Sequence, residues 1–384
     1  MLHARLFLES ASYRAEMFST CAADRPVLAQ FCANDPDTLA AAAQLLQDHV
    51  DGVDLNLGCP QRIARRGRYG AFLMDDVELV ERMVRALAAA VRVPVSVKIR
   101  RMSTEPETVA YAARLEAAGA SLVAVHGRTR EQKTAAVVAA DWITMRAVKS
   151  ALRIPVLVNG NVRCSHDAER LLVFTGADGV LSADSLLVNP ALFEGMGEGE
   201  RGSDGSVAAK DAGADVSSPG ATPGSCLSCG RASSPLPSLE PAHDPAWGSH
   251  RGLTPHAVPT RGPDLLLEYL DLAAEHPVPY RMVKGHAFKM LNAWLSEHTD
   301  IRERLNQRND LGLEGVRALT LEIRERIVAS GRATPRPSLS GKKLAAAEAA
   351  AAKEAAIAEQ DREQAALDAL GGGEYGAEEM AAGA

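Results

Sequence analysis

The chain has 384 residues, of which 46% are hydrophobic, 24% charged and 4% aromatic. That balance fits a soluble globular protein and argues against a collagen-like, wholly disordered or disulfide-scaffold chain, and no apolar run reaches the roughly 18 residues of a membrane-spanning helix. The net charge of −7 is uneven: from Lys342 onward, 4 basic residues face 9 acidic ones, which leaves the body nearly neutral.

Short β-rich runs alternate with helical patterns from about 27 to 194. The runs are 27–33, 53–58, 93–100, 121–128, 154–161 and 177–184. Helical segments are expected at 36–48, 76–91, 105–118, 141–151 and 165–174, with Asp35-Pro36, Asp75 and Ser165 at their starts. Strands of this length separated by helices imply parallel βαβ units. Every strand ends in a polar or glycine-rich cluster. An open sheet gathers its site at one switch point, whereas a (β/α)₈ barrel feeds its site from all strand ends. The expected fold class is therefore α/β: a TIM (β/α)₈ barrel with six of eight strands present, followed by a small all-α helical domain. Between them, residues 195–262 hold 12 Gly, 10 Ser and 8 Pro, a composition that cannot bury a core. The expected organisation is a barrel over 1–194, a disordered insertion over 195–262, a helical domain over 263–332 and an Ala/Glu-rich tail over 333–384.

The sharpest motif is Asn56-Leu57-Gly58-Cys59-Pro60, followed by the basic loop RIARRGRYGA. Cys59 falls at a strand end, where barrels place their chemistry. An ordinary thiol is mostly protonated at neutral pH, so it can act as a general acid as well as a nucleophile. A free cysteine is also a common small core residue; the Asn, Gly and Pro around Cys59 favour a site. Lys98 and Arg100 alternate with apolar residues and share one face of their strand. A lysine pointing into a barrel needs an anion or an electron-rich ligand, while an exposed strand end is the plainer alternative. His126 ends the next strand, as a mouth residue or a hydrogen-bonded core histidine. Asn159-Gly160-Asn161 and Ser182-Ala183-Asp184 end the last two, where many barrels hold a phosphate, and Gly160 would let backbone N–H groups approach it. Gln30 is the polar residue within the first run.

Basic residues recur beside these ends: Arg62, Arg65, Arg66, Arg68, Arg100, Arg101, Arg128, Arg130 and Lys133. The segment 280–308 adds six more against three acidic residues. Meeting faces of this kind would make a groove for a polyanion; singly, each residue is a solvated surface charge. Cys226-x-x-Cys229 is half a zinc spacing without a second pair, so no metal is assigned. Six scattered cysteines and no secretory signal point to a reducing, cytoplasmic setting.

Taken in order, AQFCANDPDTL, DGVDLNLGCPQRIARRGRYGAFL, VPVSVKIR, VHGRTREQK, IPVLVNGNV and GADGVLSADSLLVNPALFEG resemble the tRNA dihydrouridine synthase family. EYLDLAAEHPVPYRMVKGHAFKML resembles that family's helical tRNA-binding domain. The resemblance implies an FMN enzyme that reduces a uracil base in the D-loop of tRNA, with NADPH as electron donor. It implies hydride transfer from flavin to C6 and proton donation from Cys59 to C5. It places Gln30, Lys98, His126, Asn159, Gly160, Asn161, Ala183 and Asp184 on the flavin, and Asn56 and Arg100 toward the substrate. tRNA is the expected partner, with no membrane and no obligate protein partner evident. Two departures stand out. Ala183-Asp184-Ser185 replaces the family's usual Ala-Glu-Gly. Met1 to Ala4 aligns with the loop after the family's second strand, so an N-terminally incomplete chain is expected. The alternatives are an inactive family member that only binds RNA, and a flavin barrel oxidoreductase with a small substrate.

Overall fold

The computed structural model describes residues 1–132, 139–194, 196, 261–307 and 311–332. These fall in one compact unit, Met1–Thr334. Seven strands form a single sheet in sequential order: β1 (Leu2–His3), β2 (Leu28–Cys32), β3 (Gly52–Leu57), β4 (Val95–Arg100), β5 (Leu122–His126), β6 (Val156–Asn159) and β7 (Gly179–Leu181). Every neighbouring pair is parallel. This is the winding of a TIM barrel, in which each crossover carries a helix to the outer face. One correction follows. Among the described residues seven strands are present, against six expected, because Leu2 and His3 pair with Phe31 and Cys32. Two residues are too few to display a period-2 pattern, so this strand carries no sequence signal.

The helices form for local reasons. In α3 (Pro36–Gln44), Asp35 Oδ1 accepts the Thr38 N–H at 2.8 Å and Pro36 opens the first turn. In α5 (Val77–Ala90), Val80, Met83, Val84 and Leu87 are fully buried at i, i+3, i+4 and i+7. Each such side chain contributes roughly 1.5–3 kcal/mol by leaving water. The α5 cap is Asp76, whose Oδ1 accepts from Leu79 at 3.1 Å, and not the expected Asp75. Helix α6 (Glu105–Ala117) opens on a full capping box between Thr104 and Glu107. Helices α7 (Trp142–Ala151) and α8 (Ser165–Thr175) complete the outer layer. Cys164 precedes α8 as its cap residue, and Ser165 is already helical.

Four elements had no counterpart in the expected pattern: α1 (Ala4–Glu9), α2 (Ala11–Met17), α4 (Arg62–Gly67) and a 3-10 turn at Gly70–Leu73. The basic stretch after Cys59 is thus a helix and a turn, not a loop.

The alternation of the strands sorts their two faces. Val53, Leu55, Leu57, Val97, Ile99, Val123 and Val125 are fully buried and form the apolar set. Asp54, Asn56, Ser96, Lys98 and Arg100 occupy the intervening positions, so they share the opposite, inner face.

A second apolar core lies in the C-terminal helices: α9 (Arg261–Glu275), α10 (Tyr280–Met290), α11 (Asn292–Leu295), α12 (Thr299–Gln307) and α13 (Gly312–Ser330). It centres on Leu266, Leu270, Val283, Trp294 and Ile323. The first described residue of these helices is Arg261. Nearly all of 195–262, with Cys226 and Cys229, and the tail 333–384 lie outside the described residues. No helix among the described residues is long and apolar enough to cross a membrane.

Candidate functional site at the strand ends

Parallel register lines up the inner-face residues in rows. Gln30 lies beside Asp54, and Asp54 beside Ser96. Asn56 lies beside Lys98, Arg100 beside His126, and His126 beside Asn159. Hydrogen bonds then run from row to row. Ser96 Oγ donates to Asp54 Oδ1 at 2.6 Å, and Gln30 Nε2 donates to Asp54 Oδ2 at 2.7 Å. Asn56 Nδ2 donates to Gln30 Oε1 at 2.7 Å. Asn56 Oδ1 accepts the backbone N–H of Gly58 at 3.1 Å and of Cys59 at 2.9 Å. A buried carboxylate thus anchors a polar chain that ends on the amide of the cysteine.

The rest of the cysteine's backbone is equally well held. The Ala71 N–H donates to the Cys59 carbonyl at 3.1 Å. Gly70 has φ +66°, and a Cβ there would lie 2.8 Å from the Cys59 carbonyl oxygen, so this close approach requires glycine. Arg100 Nε donates to the Gly58 carbonyl at 2.8 Å, and its Nη1 to the carbonyls of Thr129 (2.8 Å) and Gln132 (3.0 Å). Arg130 reaches the Ala71 carbonyl at 3.3 Å, pairs with Asp75 at 2.6 Å and lies over the Phe72 ring. The half-buried thiol of Cys59 therefore sits on a braced loop.

Arg100 is 7% exposed, with its guanidinium turned to three backbone carbonyls. The structure makes it a brace of the cysteine loop. Asn56 likewise is occupied by the loop amides and Gln30, so its geometry is that of a positioning residue.

Lys98, Arg100 and Arg128 surround His126. Burial first, then the charges of Arg100, Lys98 and Arg128, push the His126 pKa down to about 2, so its ring is neutral. Arg128 Nη1 lies 3.0 Å from His126 Nε2. Guanidinium has no acceptor, so Nε2 accepts and Nδ1 carries the proton. Burial also lowers the Lys98 pKa, partly opposed by Asp54, and raises that of Asp54, opposed by Ser96, Gln30 and Lys98. Among the described residues Lys98 Nζ has one hydrogen bond, a long one of 3.4 Å to Asn159 Oδ1.

Asn159 Nδ2 donates to the Leu181 carbonyl at 2.7 Å, tying β6 to β7. Gly160 has φ +128°, and a Cβ there would fall 2.6 Å from Ala140 Cβ and 3.2 Å from the His126 ring. Packing against its neighbours thus requires glycine, a reason separate from the anion approach expected. Asn161 (φ +61°) accepts from Ala140 N at 2.7 Å and from Arg128 Nη2 at 2.6 Å. Gln30, Asn56, Lys98, His126 and Asn159 are thereby brought together. Ala183 and Asp184 are exposed, and Asp184 pairs with Lys289 of α10 at 3.2 Å. Sequence reasoning missed Asp54 and Ser96. The signal was present: Asp54 stands two residues before Asn56, a charge inside a buried strand.

Comparison with known proteins places the chain in a family. The chain is 38% identical over 328 residues to a tRNA-dihydrouridine(16/17) synthase-like protein of Rattus norvegicus, covering 85% of this chain and 60% of that one. It is 35% identical over 316 residues to the tRNA-dihydrouridine(16/17) synthase of Schizosaccharomyces pombe, covering 80% and 65%. It is 39% identical over 201 residues to a human tRNA-dihydrouridine(20a/20b) synthase-like protein, covering 52% and 62%. The chain thus spans about three-fifths of the length of these curated relatives. The family model for dihydrouridine synthase matches residues 1–212, and the chain belongs to that family.

Proposed function

We propose that this protein reduces a uridine in the D-loop of tRNA to 5,6-dihydrouridine, with FMN as its flavin and NADPH as electron donor. The observation that carries the proposal is the braced Cys59 at the strand ends, facing a row that ends in Lys98, His126 and Asn159. The relatives' names, tRNA-dihydrouridine synthases with the suffix NAD(P)(+), support the substrate and the electron source.

The residues fit a flavin. A half-buried ammonium with one long hydrogen bond has donors to spare for an electron-rich ring. Neutral His126 offers an Nδ1–H donor without adding charge. Gln30, Lys98, His126 and Asn159–Asn161 would hold the flavin, with Ala183 and Asp184 at the rim. When bound, FMN would supply the hydride chemistry needed at C6 of the uracil. Cys59 Sγ–H gives its proton to C5, which saturates the double bond, and the thiolate regains a proton from solvent. Asn56 and Arg100 keep the thiol at one height above the base. The base reaches this site only when flipped out of its stack. A tRNA-modifying enzyme of this kind works in the cytoplasm or nucleus.

The test uses an unmodified tRNA transcript with the protein, FMN and NADPH. Cys59→Ala is expected to keep NADPH-driven bleaching of the flavin and to lose dihydrouridine formation by roughly 10²–10⁴-fold, the usual contribution of a positioned acid. Equal dihydrouridine yields from both proteins would remove Cys59 from the reaction.

A further inference from the structure

We infer that helix α4 is the principal phosphate anchor for the RNA strand whose base enters the strand-end site; this rests on the function proposed above. Residues 62–68 are the densest basic run of the chain, with Arg62, Arg65, Arg66 and Arg68. Arg62, Arg65 and Arg66 stand at i, i+3 and i+4 and so share one helix face. Arg68 follows as the C-cap in left-handed conformation. All four are exposed. None of their side chains forms a hydrogen bond or ion pair with a described residue. No acidic residue occurs between Asp54 and Asp75, and Asp75 is already taken by Arg130.

The helix that carries this charge is nonetheless fixed. Ala64 is fully buried, the Tyr69 N–H donates to its carbonyl at 3.0 Å, and Asn34 Nδ2 donates to the Gly67 carbonyl at 2.9 Å. Like charges three and four apart destabilise a helix, and no described residue pairs with them to offset this. A polyanion does. The chain path names which one. Arg62 lies three residues after Cys59, so their Cα atoms are within about 11 Å. A nucleotide with its base over the thiol must place its neighbouring phosphates close to this face.

The C-terminal helices, the basic face expected from sequence, contrast with this. There Arg304 pairs with Glu322, Arg317 with Asp271, Arg326 with Asp300, and Lys289 with Asp184. Their charge is largely spent within the protein. Arg302 is exposed and unpaired among the described residues, which makes it a matched control.

The experiment measures tRNA affinity of the full chain by anisotropy over a range of KCl concentrations. Each phosphate contact contributes about 0.7–0.9 to the slope of log K against log salt. Arg65→Gln/Arg66→Gln is expected to lower that slope by about 1.5 and to weaken binding roughly tenfold or more at moderate salt. Arg65→Lys/Arg66→Lys should restore the slope, Arg302→Gln should leave it unchanged, and flavin binding should stay normal in all three as a fold control. An unchanged slope in the double Gln variant, or an equal drop in Arg302→Gln, overturns the inference. A wild-type protein that binds tRNA with the expected slope but forms no dihydrouridine would overturn the enzymatic reading instead.

Discussion

Arg100 shows how much a single side chain can hold in place. Its three hydrogen bonds join the Gly58 carbonyl to those of Thr129 and Gln132, so the loop before Cys59 and the loop after β5 share one brace. Arg100→Met would leave these carbonyls without a donor in a buried site. An unmet buried acceptor costs about 1–3 kcal/mol, so urea denaturation should show a loss of about 3 kcal/mol; a loss below about 1 kcal/mol would mean the brace is not needed. The alternation in VKIR correctly put Lys98 and Arg100 on one face. It could not name partners that lie 29 to 42 residues away along the chain. Gly160 was legible as a position needing glycine, but its reason, the proximity of Ala140 and His126, depends on a fold in which those residues meet.

At the scale of elements, the ends of β4 and β5 gather Lys98, Arg100, His126 and Arg128. These cations and burial together hold the folded His126 pKa near 2, against 6.5 for a free histidine. The unfolded chain therefore takes up this proton first on acidification. The contribution of neutral His126 is complete above about pH 7, and is lost progressively as pH falls from 6.5 toward 2. At pH 5 the loss should be about 2 kcal/mol relative to pH 7.5. Urea midpoints followed from pH 7.5 to 5 should fall more for the wild type than for His126→Gln; parallel falls would show that His126 titrates normally. The strands of four or more residues, and the helices α3, α5, α6, α7 and α8, were readable because each buries a regular face. Helix α4 was not, because only Ala64 on it is buried and no apolar stripe exists to be seen.

At the scale of the whole molecule, two apolar cores are joined through exposed ion pairs such as Arg281–Glu16 and Lys289–Asp184. Exposed pairs of this kind contribute at most about 1 kcal/mol each, so each region depends on its own core for stability. The barrel order and the site at its strand ends followed from the βαβ rhythm and the polar strand termini. The buried Asp54–Gln30–Asn56 chain that fixes Cys59 did not, since it depends on register between strands. The proposed reaction makes one thiol, Cys59, the proton donor in tRNA uridine reduction. The most direct measurement is the dihydrouridine content of tRNA, by mass spectrometry, in cells whose own gene is replaced by the full-length gene carrying Cys59→Ala. The expected result is loss of dihydrouridine at the uridines this enzyme modifies, with the protein still present and still flavin-bound; dihydrouridine at the wild-type level would contradict it.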